Sequence, residues 1–137
     1  MRAALVLLAL LASACGGDGK NPLAPGPVQP QPYTQTLSGT VSIFGTTRHS
    51  LNIPRSGNMR VSLSWTGGPD LDLYLTNSGC QALYPLSACG VILASDSAVG
   101  TQETVAQSVT GGQAFALFID NLSTTRATPY TLDIRID

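Results

Sequence analysis

Apolar and polar residues alternate with a period of two along most of the chain. In MRVSLSW, residues 59–65, the apolar side chains fall on one face and the arginine and serines on the other. The segment YTLDIRI, residues 130–136, repeats this pattern. Such alternation is typical of half-buried β-strands. The other strand candidates, separated by Gly, Pro, Asn or Ser turns, are residues 37–44, 49–53, 71–76, 90–95, 104–109 and 114–120.

The number and length of these candidates predict the fold class. About eight short strands fit into roughly 100 residues. No segment between them has the 3.6-residue periodicity of an amphipathic helix. We therefore expect an all-β domain, built as an antiparallel β-sandwich of jelly-roll type.

The N-terminal segment, residues 1–14, differs from the rest of the chain. MRAALVLLALLASA has one arginine, an apolar stretch and small terminal residues, which is typical of a secretory signal peptide. The residues before Cys15 also resemble the bacterial lipoprotein signal, in which cleavage leaves a lipidated N-terminal cysteine. An ordinary A-x-A cleavage site ends at the same bond, so two interpretations stay open. We expect lipidation at Cys15, because ordinary cleavage would leave an unpaired, exposed thiol.

A lipid at Cys15 would make the membrane a partner of this protein. Acyl chains contribute roughly 0.8 kcal/mol per buried CH₂, so several of them would hold the protein on a membrane almost permanently. Gly16 and Gly17 follow the cysteine, where inner-membrane lipoproteins usually have aspartate. The expected location is therefore the cell envelope, at the outer membrane in cells that have one.

Residues 15–35 predict a tether. The segment GGDGKNPLAPGPVQPQPYTQ is rich in proline and glycine and has too few apolar residues to fold. Proline-rich chain extends by roughly 3.1 Å per residue, so the tether could hold a domain up to about 50 Å from the lipid. The folded domain is then expected to span residues 36–137.

Composition excludes some classes of partner. The 137 residues include 43% hydrophobic and 11% charged residues, with a net charge of −1. Low, balanced charge provides no electrostatic surface for nucleic acid or for an anionic membrane. The length suffices for one domain with a single core.

Two further cysteines, Cys80 and Cys89, lie in the loop TNSGCQALYPLSACG. In an exported protein this spacing predicts a disulfide, which stabilises a small domain by roughly 2.5–3 kcal/mol through loop closure. A metal site on the cysteines is disfavoured, because the only histidine, His49, lies in another candidate strand. The apolar residues 83–86 would then form a contact surface or fold back over the open end of the sandwich.

Three segments in order resemble the bacterial pre-peptidase C-terminal domain, a β-sandwich often found at the ends of secreted peptidases. They are GNMRVSLSWTGGPDLDLYLTNSG, LASDSAVGTQETVAQSVTGGQAFALFIDN and TPYTLDIRI, and they cover nearly all of the expected domain. The ordered set, which includes the D-L-D-L-Y-L run of residues 70–75, is far more specific than any one motif. The family's aromatic-rich G-x-Y-Y-V-x-V strand is replaced by GGQAFALFID, and the insertion that bears the cysteines is longer than the family pattern.

The resemblance implies an accessory role, since these domains usually accompany a catalytic domain and assist stability, targeting or substrate contact. The residues themselves also argue against catalysis. One histidine cannot build an H-E-x-x-H zinc site. No nucleophile-elbow motif marks a serine as the partner of His49, which we expect at the surface of its strand. We therefore predict that the protein is not an enzyme.

Some relatives of this domain, including collagen-binding modules of secreted collagenases, hold calcium with acidic residues around the D-x-D sequence. The resemblance thus implies calcium as the one candidate cofactor, held by Asp70 and Asp72. Asp96, Asp120 and the backbone carbonyls of Gly67 and Gly68 are candidates for the further ligands. Calcium takes six to eight oxygen ligands, and the lead-in PQPYTQTLSG offers no carboxylate. The alternative is a turn at Asp70, with Asp72 facing solvent or paired with Arg60.

Two classes of function stay open. The first is a non-catalytic binding module displayed on the envelope, with a polysaccharide or protein ligand and contacts at Tyr74, Tyr84 and Phe118. Alternation places Asp72 and Tyr74 on the outer face, opposite the core leucines of the same strand. The second class is a structural lipoprotein that serves as partner or chaperone of a separately encoded secreted enzyme. A calcium-dependent matrix-binding module is a variant of the first.

Overall fold

The computed structural model describes residues 30–98 and 100–137. The predicted signal peptide, Cys15 and the tether as far as residue 29 lie outside these residues. All eight predicted strands are present in the described part of the chain. Their bounds are β1 Tyr33–Val41, β2 Gly45–Asn52, β3 Gly57–Trp65, β4 Asp72–Asn77, β5 Val91–Ser95, β6 Gln102–Val109, β7 Ala114–Asn121 and β8 Thr128–Ile136.

The strands form two four-stranded sheets packed face to face. The first sheet has the order β1-β8-β3-β6 and the second has the order β2-β7-β4-β5. The six pairings in the described residues are antiparallel. Successive strands alternate between the sheets except at β4 and β5, which is the strand order of a jelly roll. The predicted fold class, an all-β antiparallel sandwich, is confirmed.

The first strand begins earlier than the expected domain start at residue 36. Tyr33 is paired with Ile136, so β1 follows β8 over the full length of both strands. Backbone pairing with β8 therefore extends the folded part into the last residues of the expected tether. In the part of the chain that the structure describes, no helix is long and apolar enough to cross a membrane.

The inner faces of the two sheets supply one apolar core. Leu63 of β3, Leu73 of β4 and Leu117 of β7 have no exposed surface. Burial of a leucine side chain contributes about 1.5–3 kcal/mol, so these faces hold the sheets together. Three leucines predicted to face the core do so: Leu71, Leu73 and Leu75.

Cys80 and Cys89 form the predicted disulfide, with their Cα atoms 5.0 Å apart. The loop that it closes contains one turn of helix, α1 Leu86–Cys89. Gly90 ends the helix with φ of 59°, a left-handed conformation that glycine adopts without steric cost.

The disulfide loop covers the outer face of the second sheet. Leu83, only 2% exposed, packs there with Tyr74 and Phe118. The loop therefore forms a second apolar layer on this sheet. Residues 83–86 were expected either to form a contact surface or to fold back over the open end of the sandwich. The loop does fold back, but it lies on the face of the sheet and not over the end of the sandwich.

Candidate functional site

One end of the sandwich holds the four connections that follow β1, β3, β5 and β7, and we call it the loop end. It gathers five of the eight acidic residues of the chain. Asp72 begins β4 and lies directly opposite Asp120 of β7. Like charges in facing positions of neighbouring strands destabilise a sheet. The other members are Asp70 and Asp96 in loops and Glu103 on β6.

Asp72 is half-buried within this group. Its Oδ2 accepts a hydrogen bond from the Tyr74 hydroxyl at 3.3 Å. Burial raises the pKa of Asp72, and repulsion from Asp70, Asp120 and Asp96 adds to the rise, while the Tyr74 hydrogen bond opposes it. The expected alternative pair with Arg60 is absent: Arg60 lies on β3 of the first sheet, and Asp72 lies on the second.

Asp120 is 2% exposed and joins the second sheet to the disulfide loop. Its Oδ1 accepts a hydrogen bond from Thr46 Oγ1 at 2.9 Å, and its Oδ2 accepts one from the Tyr84 hydroxyl. Burial, followed by the bond to Asp120, raises the pKa of Tyr84 to about 12. Tyr84 is nevertheless 51% exposed, so of the three predicted contact residues it remains accessible to a ligand.

The other two predicted contact residues are covered. Tyr74 is 7% exposed and Phe118 is 2% exposed, because the disulfide loop packs over both side chains. The expectation that they lie on an open outer face is wrong. The sequence does contain a signal for this: residues 114–119, AFALFI, are almost continuously apolar, which is typical of a strand buried on both faces.

Glu103 was not among the predicted site residues. It is 3% exposed, and its carboxylate accepts hydrogen bonds from the Ser95 hydroxyl and, at 3.1 Å, from the Ser97 backbone N–H. Burial raises the pKa of Glu103, the Ser97 bond opposes the rise, and repulsion from nearby aspartates adds to it. Glu103 thus holds the β5–β6 connection against β6 at the loop end.

The carboxylates of the loop end fit calcium poorly. Within the described residues, no three His, Cys, Asp or Glu side chains are arranged to hold a metal ion. Asp120 and Glu103 already use both oxygens in hydrogen bonds. Asp70 differs, because its Oδ1 is buried without a hydrogen-bond partner. Calcium binding by Asp70, Asp72, Asp96 and Asp120 stays an untested prediction.

His49 is half-buried and faces the rim of the core, contrary to the expectation of a surface position. Its Nε2 lies 2.7 Å from the Tyr130 hydroxyl, within hydrogen-bond distance. Burial lowers the pKa of His49. Because the hydrogen-bond partner is a phenol, the histidine is not placed as the base of a serine triad.

The loop end also carries an exposed apolar group that the alternation did not predict. Phe44 is 68% exposed, Leu122 is 59% exposed and Ile43 is 46% exposed. We call these three residues the apolar tip. Phe44 has a φ of 47°, which is rare for a residue with a bulky side chain. Its backbone N–H donates to the Ser123 carbonyl at 3.0 Å, so two loops distant in sequence are joined there.

The side chain of Asn121 holds the loops of the apolar tip in place through hydrogen bonds. It is completely buried, and its Nδ2 donates to the backbone carbonyls of Ser42 at 3.1 Å and Arg126 at 2.9 Å. Its Oδ1 accepts from the Ser123 N–H at 3.0 Å. A buried amide with its hydrogen bonds satisfied fixes its surroundings in one arrangement. The apolar side chains are therefore presented by a supported turn.

No family model matches the chain. No curated protein matches it either. Solved structures do: PliG from Aeromonas hydrophila, a periplasmic lysozyme inhibitor of g-type lysozyme, has a TM-score of 0.54 and 12% identity, with 76% of this chain and 86% of that chain covered.

Two further structures are similar to the chain. The pre-peptidase C-terminal domain of a collagenase from Bacillus anthracis has a TM-score of 0.55 and 14% identity, covering 74% of this chain and 88% of that one. The Yersinia pseudotuberculosis-derived mitogen has a TM-score of 0.56 and 22% identity, covering 78% and 88%. At these identities the likeness is one of fold. The fold is thus similar to that of a pre-peptidase C-terminal domain.

Proposed function

We propose that this protein is a non-catalytic binding module of the pre-peptidase C-terminal type, exported and held on the cell envelope by a lipid on Cys15. Its contact surface is the loop end, and its ligand is another protein. The Cys80–Cys89 disulfide supports export, because disulfides persist in oxidising compartments. The similarity in fold to a lysozyme inhibitor supports a role in binding.

The apolar tip is the observation that carries this proposal. Ile43, Phe44 and Leu122 leave large apolar side chains in water on two loops that a backbone hydrogen bond joins, and exposed apolar patches mark interaction sites. The left-handed conformation of Phe44 costs free energy that the surrounding hydrogen bonds must offset. Acidic residues lie at the same end, and an apolar centre with a polar rim is typical of protein interfaces.

Photo-crosslinking in intact cells tests the proposal. Phe44 is replaced by a photo-crosslinking phenylalanine derivative, and the matched control carries the same group at Asn52, an exposed residue at the opposite end of β2. We expect one discrete protein adduct from position 44 after illumination, identified by mass spectrometry, and none from position 52.

The partner's identity separates the two classes of function that the sequence left open. A secreted enzyme recovered from position 44 supports an accessory or chaperone role, and any other protein supports a general binding module. Equal labelling from both positions would contradict a contact surface at the loop end. So would adducts with polysaccharide in place of protein.

A further inference from the structure

The fifth strand forms an open, apolar edge of the second sheet. β5 is paired along one side with β4 and ends the strand order on its other side. Its sequence, VILAS, has no charged residue and no proline. Val91 is 36% exposed and Ile92 is 37% exposed. An edge with unpaired backbone groups and no blocking charge is a template for another extended chain.

A bulge shapes this edge. Leu75 of β4 is paired with Leu93, but the next residue, Thr76, is paired with Val91. Ile92 is therefore the extra residue of β5. A bulge changes the direction of side chains and ends regular pairing, and bulges are frequent next to functional sites. Here it leaves both Val91 and Ile92 at the surface.

A groove of about 520 Å³ lies beside β5, between this strand and α1 of the disulfide loop. Tyr74, Leu86 and Val91 supply apolar surface, and Ala94 leaves space because its side chain is small. The volume suffices for a bulky side chain of an incoming chain.

The lining of the groove is mainly apolar and includes one charged residue, Asp96. Besides burial, which contributes most, repulsion from Asp96 raises the pKa of both Asp72 and Glu103, so Asp96 lies close enough to both carboxylates to interact with them. In residues 30–98 and 100–137 the one ion pair joins Arg135 to Asp137. Among these described residues, no arginine therefore forms an ion pair with a carboxylate beside the groove.

We propose that the edge of β5 binds an extended peptide segment of a partner protein by strand addition, with an apolar side chain in the groove and a lysine or arginine against Asp96. Ala94 and Asp96 are two residues apart, and both line the groove. The apolar and the basic residue of the peptide must therefore also be two positions apart. This site is separate from the apolar tip and does not depend on the function proposed above.

Selection from a library of random linear peptides displayed on phage tests this inference on the purified protein. We expect enrichment of sequences in which an apolar residue and a lysine or arginine are separated by one position. A synthetic peptide of the enriched sequence should bind the protein in solution, and the affinity should fall with added salt.

Matched variants locate the binding. Ala94→Trp fills the groove, and Asp96→Lys reverses its charge, so each should weaken binding of the selected peptide by about tenfold or more. Ala106→Trp is the control for the first, because Ala106 is an exposed alanine on the edge strand β6. Asp133→Lys on the first sheet is the control for the second. Neither control should change the affinity.

Two results would overturn the inference. One is a selection without the expected spacing of apolar and basic residues. The other is a selected peptide that binds Ala94→Trp and Asp96→Lys as tightly as the native protein. Phe44→Ser distinguishes the two proposals, since it alters the apolar tip and should leave peptide binding at β5 unchanged.

Discussion

At the scale of single residues, Asp72 occupies an electrostatically unfavourable position. It faces Asp120 across the sheet, is half-buried, and has a raised pKa. The folded protein therefore binds a proton at Asp72 more tightly than the unfolded chain does. Stability from this group rises as the pH falls from 7 towards the unfolded pKa near 4, and it is lost as the pH rises through the folded pKa.

Asp72→Asn removes this charge and keeps the size of the side chain. We expect the variant to be more stable than the native protein at pH 7 by about 0.5 kcal/mol, the scale of a partly exposed charge interaction. The difference should shrink towards pH 4, because the raised pKa of Asp72 favours protonation of the folded native protein as the pH falls. Urea unfolding at pH 7, 5.5 and 4 measures this difference.

Asp133→Asn, on the first sheet, is the control for Asp72→Asn and should not reproduce the pH-dependent difference. Asp137 has a lowered pKa, so its contribution to the stability changes at a pH below the range of 4 to 7 that is measured. An Asp72→Asn variant less stable than the native protein at pH 7 would show that the Tyr74 hydrogen bond outweighs the repulsion.

At the scale of elements, the disulfide loop is the feature that the sequence predicted least well. The bond between Cys80 and Cys89 follows from their spacing and from the expected export. The packing of Leu83 on Tyr74 and Phe118 does not, because alternation assigns faces of a strand but cannot show what covers the outer one. The long apolar run of β7 was the available signal, and it indicates burial on both faces without naming the covering segment.

Two leucines of this loop provide a matched comparison. Leu83 is 2% exposed and Leu86 is 40% exposed, and both lie between the same two cysteines. We expect Leu83→Ala to reduce the free energy of unfolding by about 2–4 kcal/mol, because it leaves a cavity in the second apolar layer. Leu86→Ala should cost less than about 1 kcal/mol. Chemical unfolding under non-reducing conditions measures both.

Equal effects of the two substitutions would mean that the disulfide alone holds the loop in place. In that case Leu83 would contribute no packing energy of its own. The comparison therefore tests whether packing of the outer layer stabilises the fold or whether the disulfide alone keeps the loop on the sheet.

At the scale of the whole molecule, alternation was sufficient to predict the architecture. Eight short amphipathic strands without a helix leave few arrangements other than a sandwich, and the two sheets form as expected. Alternation could not predict which residues come together at the loop end. Phe44 and Leu122 are far apart in the chain, and their loops meet only because the jelly-roll order places the connections after β1 and β7 side by side. Glu103 escaped prediction for the same reason.

Calcium binding, which the family resemblance implies, can be tested on the whole protein by thermal melting. A ligand at 100 times its Kd stabilises the folded state by about 2.7 kcal/mol, which would raise Tm by several degrees in a domain of this size. Because no three carboxylates of the described residues converge as ligands, we expect millimolar calcium to shift Tm no more than magnesium does. A saturable rise that is specific for calcium would contradict this expectation. If that rise disappeared in Asp70→Asn, the carboxylate oxygen without a hydrogen-bond partner would be identified as part of a site completed by backbone oxygens and water.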